Sequence, residues 1–193
     1  MSSVPRSAFF PPGLERERFD RDSCRVEVAP GRLLPPAATV AMMVAGLALS
    51  ATDRVLEVGG GAGYQAAVLG RLASQVYSVE SDEELVARAA KTLAELGSVN
   101  VLVTTGDVRI GRPRTAPYDA IVIWGGVNEV PQALLDQLAL GGRLVVPLGE
   151  VGAQLVVRLR KSAEAVVSET LGAADLEPLP QSVETPWRFP WSG

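Results

Sequence analysis

Three carboxylates in this chain stand at or near the ends of apolar runs, and a glycine loop lies beside the first. Glu57 is in Arg54-Val55-Leu56-Glu57-Val58, which runs into Gly59-Gly60-Gly61-Ala62-Gly63 and Tyr64. Glu80 closes the next apolar run, 21 positions after Gly59, and Gly106-Asp107 follows the third. Glycines let the backbone turn tightly and let a ligand approach it closely. Between a strand and a helix, such a loop marks the edge where open α/β folds bind ligands. A carboxylate placed like Glu80 can accept hydrogen bonds from both ribose hydroxyls of a nucleoside. Asp107 can accept from an adenine amino group while the amide of Val108 donates to the ring. Plainer uses exist: Glu80 precedes Ser81-Asp82-Glu83-Glu84, an acidic run suited to a helix N-terminus, and Asp107 fits an ordinary turn. The common register of the three carboxylates favours the nucleoside.

The loop also fits the loose dinucleotide pattern G-x-G-x-x-A through Gly61, Gly63 and Ala66. Glu57 would repel a pyrophosphate, yet it suits the cationic amino group and sulfonium of S-adenosylmethionine (SAM). A chain of 193 residues also leaves no room for the substrate domain of most nicotinamide enzymes. The expected cofactor is therefore SAM. Its candidate contacts are Glu57, Gly59, Gly61, Gly63, Tyr64, Gln65, Glu80, Ser81, Gly106, Asp107 and Val108. A nicotinamide-dependent oxidoreductase is the competing enzyme class.

Composition excludes several chemistries. The sequence has no histidine and one cysteine, Cys24. Histidine-based triads, cysteine-rich zinc sites and internal disulfides are ruled out; a lone cysteine fits a cytoplasmic protein. No metal site is expected. The net charge of −4 provides no electrostatic footprint for nucleic acid or an anionic membrane. The most apolar stretch, residues 37–49, is too short to span a bilayer, and the N-terminus has no signal-peptide core.

The elements that must position these residues alternate. Strands are expected over residues 54–58, 75–80, 99–104, 119–124 and 143–147. Helices are expected over 37–49, 64–73, 82–97 and 130–140, and a terminal hairpin over 154–160 and 166–171. This predicts an α/β, Rossmann-like fold: a mostly parallel sheet, helices on both faces and an antiparallel edge hairpin. The first thirty-odd residues, broken by prolines and glycines, read as irregular, with a short helix possible in 15–25. One domain is expected, comprising an N-terminal substrate or lid segment (1–36), a SAM-binding core (37–160) and an edge strand with tail (161–193).

Beyond the loop, the sequence resembles the protein-L-isoaspartate O-methyltransferase family. Val4-Pro5-Arg6 with Phe9 and Pro11 is similar to its V-P-R-x-x-F segment. Arg54 to Gly59 and Gly63-Tyr64-Gln65-Ala66-Ala67 resemble its SAM loop. Gly106-Asp107, Gly111, Ala116-Pro117-Tyr118-Asp119-Ala120, Val130-Pro131 and Gly141-Gly142-Arg143-Leu144 are similar as well. The resemblance implies a SAM-dependent methyltransferase that esterifies the α-carboxyl of L-isoaspartyl residues and so begins protein repair. Two departures concern the acceptor side. Where the family carries G-Q-T-I-S-x-P, whose hydroxyls hold the acceptor carboxylate, this chain has Gly31-Arg32-Leu33-Leu34-Pro35-Pro36. Pro35 replaces the serine, Leu33 the threonine, and Arg32 is the candidate replacement donor. The family's small pair after the fourth strand is replaced by Trp124-Gly125-Gly126. The segment 20–36 reads as a lid, and Trp124, Trp187 and Trp191 as acceptor-pocket or packing residues. A peptide, protein or small-molecule acceptor, and a non-catalytic SAM-binding module, remain open readings here.

Overall fold

The computed structural model describes residues 4–11, 13–14 and 25–180. Cys24, Trp187, Trp191, the start of the lid segment and most of the 15–25 stretch lie outside them. A 3-10 turn, Arg6–Phe9, precedes a hairpin of β1 (Val26–Ala29) and β2 (Arg32–Leu34). Then come α1 (Ala37–Leu47), β3 (Arg54–Val58), α2 (Tyr64–Gly70), β4 (Gln75–Glu80), α3 (Glu83–Glu95) and β5 (Val101–Thr105). The chain continues through β6 (Tyr118–Ile123), α4 (Gln132–Asp136), β7 (Leu138–Leu148), β8 (Leu155–Lys161) and β9 (Val166–Ala173).

The main sheet runs in the order β5-β4-β3-β6-β7-β8-β9. The first five strands are mutually parallel, and β8 and β9 add antiparallel pairs at the edge. Strand β3 is central because it is apolar on both faces. Val55 packs with α1 and α2, whereas Leu56 and Val58 pack with Tyr118, Ile121 and Leu134 on the other side. From β3 the chain goes first to β4 on one side and later to β6 on the other. Where strand order reverses, the loops leaving β3 and β6 splay apart and leave a crevice at the strands' C-terminal ends. The glycine loop occupies that position.

Helix α3 follows local rules. Asp82 caps it by accepting from the amides of Glu84 (2.9 Å) and Leu85 (3.1 Å), and Leu85, Ala89 and Leu93 form its buried stripe. Gly97, just past its end, takes the left-handed conformation at φ +67°.

Two expectations need correction. The helix expected over 130–140 is confined to Gln132–Asp136, and Leu138 already pairs with Tyr118 of β6. Gln137 makes the break: its side-chain amide donates to the carbonyls of Ile110 and Ala133 (both 2.7 Å), and its oxygen accepts from the amide of Arg112 (2.9 Å). Its backbone carbonyl meanwhile accepts from Tyr118 N at 2.9 Å. Sheet pairing overrides the helical pattern there. The segment before residue 37 is also not wholly irregular. Val26 and Val28 face inward while Glu27 faces out, and Pro30-Gly31 forms the turn of a hairpin. Among the described residues no helix is long and apolar enough to cross a membrane, and no cluster of three or more His, Cys, Asp or Glu could hold a metal ion.

Arg143 of β7 ties the non-site end of the sheet together. Its guanidinium pairs with Asp53, and donates to the carbonyls of Leu47, Ala48 (2.8 Å) and Asp119 (3.2 Å). Removing it takes the counter-charge from a largely buried carboxylate, which keeps only the amide of Ser50 (2.8 Å), and a donor from each of three carbonyls. Arg143→Ala is expected to lower unfolding free energy by about 2–4 kcal/mol, read as a shift in urea midpoint at unchanged m-value. A change below about 0.5 kcal/mol would contradict this role.

Candidate functional site

The glycine loop turns from β3 into α2 with Gly59, Gly61 and Gly63 at φ +73°, +56° and +94°. Two of its glycines are required by packing. A Cβ on Gly63 would lie 2.9 Å from the Cβ of Ala89 on α3, and one on Gly60 would lie 2.3 Å from Glu57 Oε2. The loop therefore rests on α3 at one end and on the Glu57 carboxylate at its middle. Tyr64, the first residue of α2, meets Phe9 edge to face at 5.8 Å. Arg6 donates to the carbonyl of Pro35 at 2.8 Å. The N-terminal motif thus braces the loop and the hairpin.

Glu57 does not face the crevice. It is fully buried beneath the loop, accepting from Ser78 Oγ (2.6 Å) and Trp124 Nε1 (2.9 Å). Ser78 is its partner in register on β4, and Trp124 immediately follows β6, so this carboxylate links three adjacent strands. Burial pushes its pKa up to about 7, against the two hydrogen bonds and with some help from the charge of Glu80. The expected direct contact of Glu57 with a cationic ligand becomes a role below the loop.

Glu80, at the end of β4, is also fully buried. Its Oε1 accepts from the amides of Ser81 (2.7 Å) and Asp82 (3.2 Å) and from Ser81 Oγ (3.1 Å). Its Oε2 accepts from the amide of Gly61 at 2.9 Å and pairs with the guanidinium of Arg32. Gly106 is held by its amide bond to the Glu80 carbonyl, 3.0 Å. Next to it, Asp107 Oδ1 accepts from Arg109 N at 2.7 Å, and Val108 is buried.

Above the loop lies a cleft of about 470 Å³ counting its solvent-open mouth, with an interior void of about 40 Å³. The void has room for a few waters, whereas ligand sites usually offer about 300–1,000 Å³. Of the expected site residues, Arg32, Gly59, Gly61 and Gln65 line it; Glu57, Gly63, Tyr64, Glu80, Ser81, Gly106, Asp107 and Val108 are not on that lining. The Glu80 carboxylate at the end of β4 and the glycine loop beside it suit the hydroxyl edge of a nucleoside. The buried Gln65 Oε1, on the cleft wall, makes no hydrogen bond.

One wall of the cleft is not foreseen from sequence. After β9, residues 174–180 cross over the loop leaving β6. Gly126 N donates to the Glu177 carbonyl and Leu179 N to the Gly126 carbonyl, both at 2.9 Å. Gln154 anchors this strap by donating to the carbonyl of Leu176 and accepting from its amide, both 2.9 Å. The available signal was Gly125-Gly126: a Cβ on Gly125 would sit 2.7 Å from Leu179 Cα, and one on Gly126 would sit 2.1 Å from Gln154 Nε2. Trp124 is buried and lines the cleft; Pro35, at the expected serine position, offers no hydroxyl.

Comparison with known proteins agrees with this architecture. A family model described as protein-L-isoaspartate(D-aspartate) O-methyltransferase matches residues 1–179. The protein-L-isoaspartate O-methyltransferase of Roseiflexus sp. (strain RS-1) is 42% identical over 180 residues, covering 93% of this chain and 81% of that protein. Protein-L-isoaspartate O-methyltransferase 2 of Pelobacter propionicus is 44% identical over 165 residues, 85% of this chain and 72% of the other. Among solved structures, a protein-L-isoaspartate O-methyltransferase superposes with a TM-score of 0.79 at 28% identity, over 91% of this chain; the match spans 58% of that longer chain. A Plasmodium falciparum protein solved with S-adenosyl-L-homocysteine and described as such an enzyme shares the fold, with a TM-score of 0.75 at 19% identity over 92% of this chain and 86% of that one.

Glu57 has a measurable consequence. Its folded pKa of about 7 lies above the ordinary 4.5, so the native state holds this proton more tightly than the unfolded chain does. The stabilisation is complete below pH 4.5 and is lost as pH rises to 7. Across that window the wild type should lose roughly 3 kcal/mol relative to Glu57→Gln, measured by denaturant titration of both proteins. Parallel stability curves would show that Glu57 titrates normally.

Proposed function

The chain belongs to the protein-L-isoaspartate O-methyltransferase family, and from that premise we propose that it methylates the α-carboxylate of L-isoaspartyl residues in peptides and proteins. It is a SAM-dependent methyltransferase. The observation that carries the reading is the buried Glu80 carboxylate, bonded to Gly61 of the glycine loop and backed by β4. That arrangement fits one ligand edge, a ribose diol.

In this reading Glu80 and Ser81 hold the ribose hydroxyls, and Asp107 with the Val108 amide reads the adenine edge beside Gly106. Gly59, Gly61 and Gly63 let the backbone pass close to the cofactor, with Tyr64 and Gln65 opening the helix behind it. Gln65 Oε1, buried with no bond of its own, is an unused acceptor of a residue on the cleft wall. Glu57 acts from below, fixing Trp124 and the loop. When bound, SAM supplies a methyl group activated on a sulfonium centre. The acceptor carboxylate is already ionised near neutral pH, so the chain needs no general base, in keeping with the absence of histidine. What it must do is strip water from one carboxylate oxygen and hold it in line with the methyl group. Pro35 and Leu33 offer no hydroxyls for this; Arg32 is the donor we assign to the acceptor carboxylate. The substrate is a protein or peptide, and with a net charge of −4 nucleic acid is not a partner of this reading. A lone cysteine suits work in the cytoplasm.

The experiment is methyl transfer from labelled SAM to an L-isoaspartyl peptide, with the matched L-aspartyl peptide as control. Turnover on the isoaspartyl peptide alone is expected. Glu80→Ala should weaken SAM binding by at least about 100-fold by calorimetry, since two charge-assisted hydrogen bonds of about 1.5–3 kcal/mol each are lost. Binding of SAM without turnover on either peptide would refute the isoaspartyl acceptor; no binding of SAM would refute the cofactor site.

A further inference from the structure

Arg32 and Glu80 meet in an unexpected way. Arg32 stands on β2 of the N-terminal hairpin, on the acceptor side, yet its guanidinium reaches across the cleft to Glu80, the carboxylate assigned to the ribose. The Arg32 side chain is 22% exposed and Glu80 is fully buried. A carboxylate offers about four lone-pair sites, and Glu80 already has five donors on it: three backbone amides, the Ser81 hydroxyl and Arg32. The amides of Gly61, Ser81 and Asp82 are fixed by the loop and the start of α3. Only the two side-chain donors, Arg32 and Ser81 Oγ, can yield, and a ribose brings two hydroxyls.

Once released, Arg32 has an acceptor's carboxylate as its open destination, because Glu177, the other carboxylate on the cleft lining, is already paired with Arg25 at 3.3 Å. Among the described residues that line the cleft it is the only cation. The Trp124 indole N–H is spent on Glu57, and Pro35 and Pro36 carry neither a hydroxyl nor an amide N–H. A guanidinium forks onto a carboxylate in two-point fashion, whichever carboxylate it meets.

We propose that Arg32 and the ribose hydroxyls of SAM compete for Glu80, so that cofactor binding hands the Arg32 guanidinium to the acceptor's carboxylate and imposes an order, cofactor first. This rests on the isoaspartyl methyltransferase reading and adds to it a coupling between the two sites. Arg32 is then an acceptor-binding residue whose availability is set by the cofactor. A competitor that must be displaced lowers apparent cofactor affinity and repays it as positive coupling to the acceptor.

The test uses Arg32→Met, which keeps an apolar stem on the hairpin, alongside Arg32→Lys, with circular dichroism confirming that both fold. S-adenosylhomocysteine binding is measured by calorimetry, together with an analogue lacking the 2′- and 3′-hydroxyls. In Arg32→Met, S-adenosylhomocysteine should bind about three- to tenfold more tightly than in wild type, while the deoxy analogue binds equally to both. Raising salt should narrow that gap by screening the pair. The KM for the isoaspartyl peptide should rise at least about tenfold with a much smaller change in kcat, and Arg32→Lys should recover part of it. Wild type should bind the peptide measurably only when S-adenosylhomocysteine is present. Equal or weaker S-adenosylhomocysteine binding by Arg32→Met overturns the competition, and an unchanged peptide KM overturns the transfer to the acceptor. Failure of wild type itself to bind S-adenosylhomocysteine is a different result, which removes the methyltransferase reading beneath both.

Discussion

A carboxylate taken out of water must be paid for in donors, and in this protein Glu80 gathers them from three parts of the chain. The glycine loop contributes the Gly61 amide, the β4–α3 junction contributes Ser81 and Asp82, and the N-terminal hairpin contributes Arg32. The glycine loop, the start of α3 and the N-terminal hairpin therefore share one carboxylate. Parallel strands deliver that group to the C-terminal edge, where the order of the sheet reverses and no neighbouring strand covers the crevice.

Glu57 answers the same constraint with a different result. Its donors, Ser78 of β4 and Trp124 just after β6, flank β3, and neither is a cation. Without a counter-charge, burial dominates and the acid holds its proton up to about neutral pH. Glu80, two places beyond Ser78 on β4, has amides and a guanidinium instead. The two acids thus divide the work: Glu57 shapes the floor under Gly60 and Trp124, and Glu80 ties the glycine loop to the start of α3 and to Arg32.

The N-terminal segment is braced on this floor. Arg6 holds the Pro35 carbonyl, Phe9 lies against Tyr64, and Arg88 of α3 donates to the Val28 carbonyl at 2.8 Å. Across the cleft, Gln154 and the strap 174–180 close over Gly125 and Gly126. The strap and Gln154 approach Gly125 and Gly126 more closely than any side chain at those positions would allow. A protein that must desolvate a carboxylate, rather than move a proton, gains from walls of this kind.

Local patterning determined most of the architecture. Apolar runs ending in carboxylates marked β3 and β4, Asp82 and Gly97 bounded α3, and the glycine loop located the ligand edge, because these features depend only on residues a few positions apart. The positions of Glu80, Ser81 and the loop glycines in one cluster were legible for the same reason. The tertiary structure alone decided the rest: that Glu57 faces down to Ser78 and Trp124, that Gln137 ends α4 by bonding to Ile110 and Ala133, that Pro30-Gly31 turns a hairpin, and that Leu179 covers Gly125. Above all it decided that Arg32 meets Glu80, 48 residues away. A periodic pattern records which face of an element is apolar, but a hydrogen bond between elements depends on where the packed sheet brings them, and that is set by the whole chain at once.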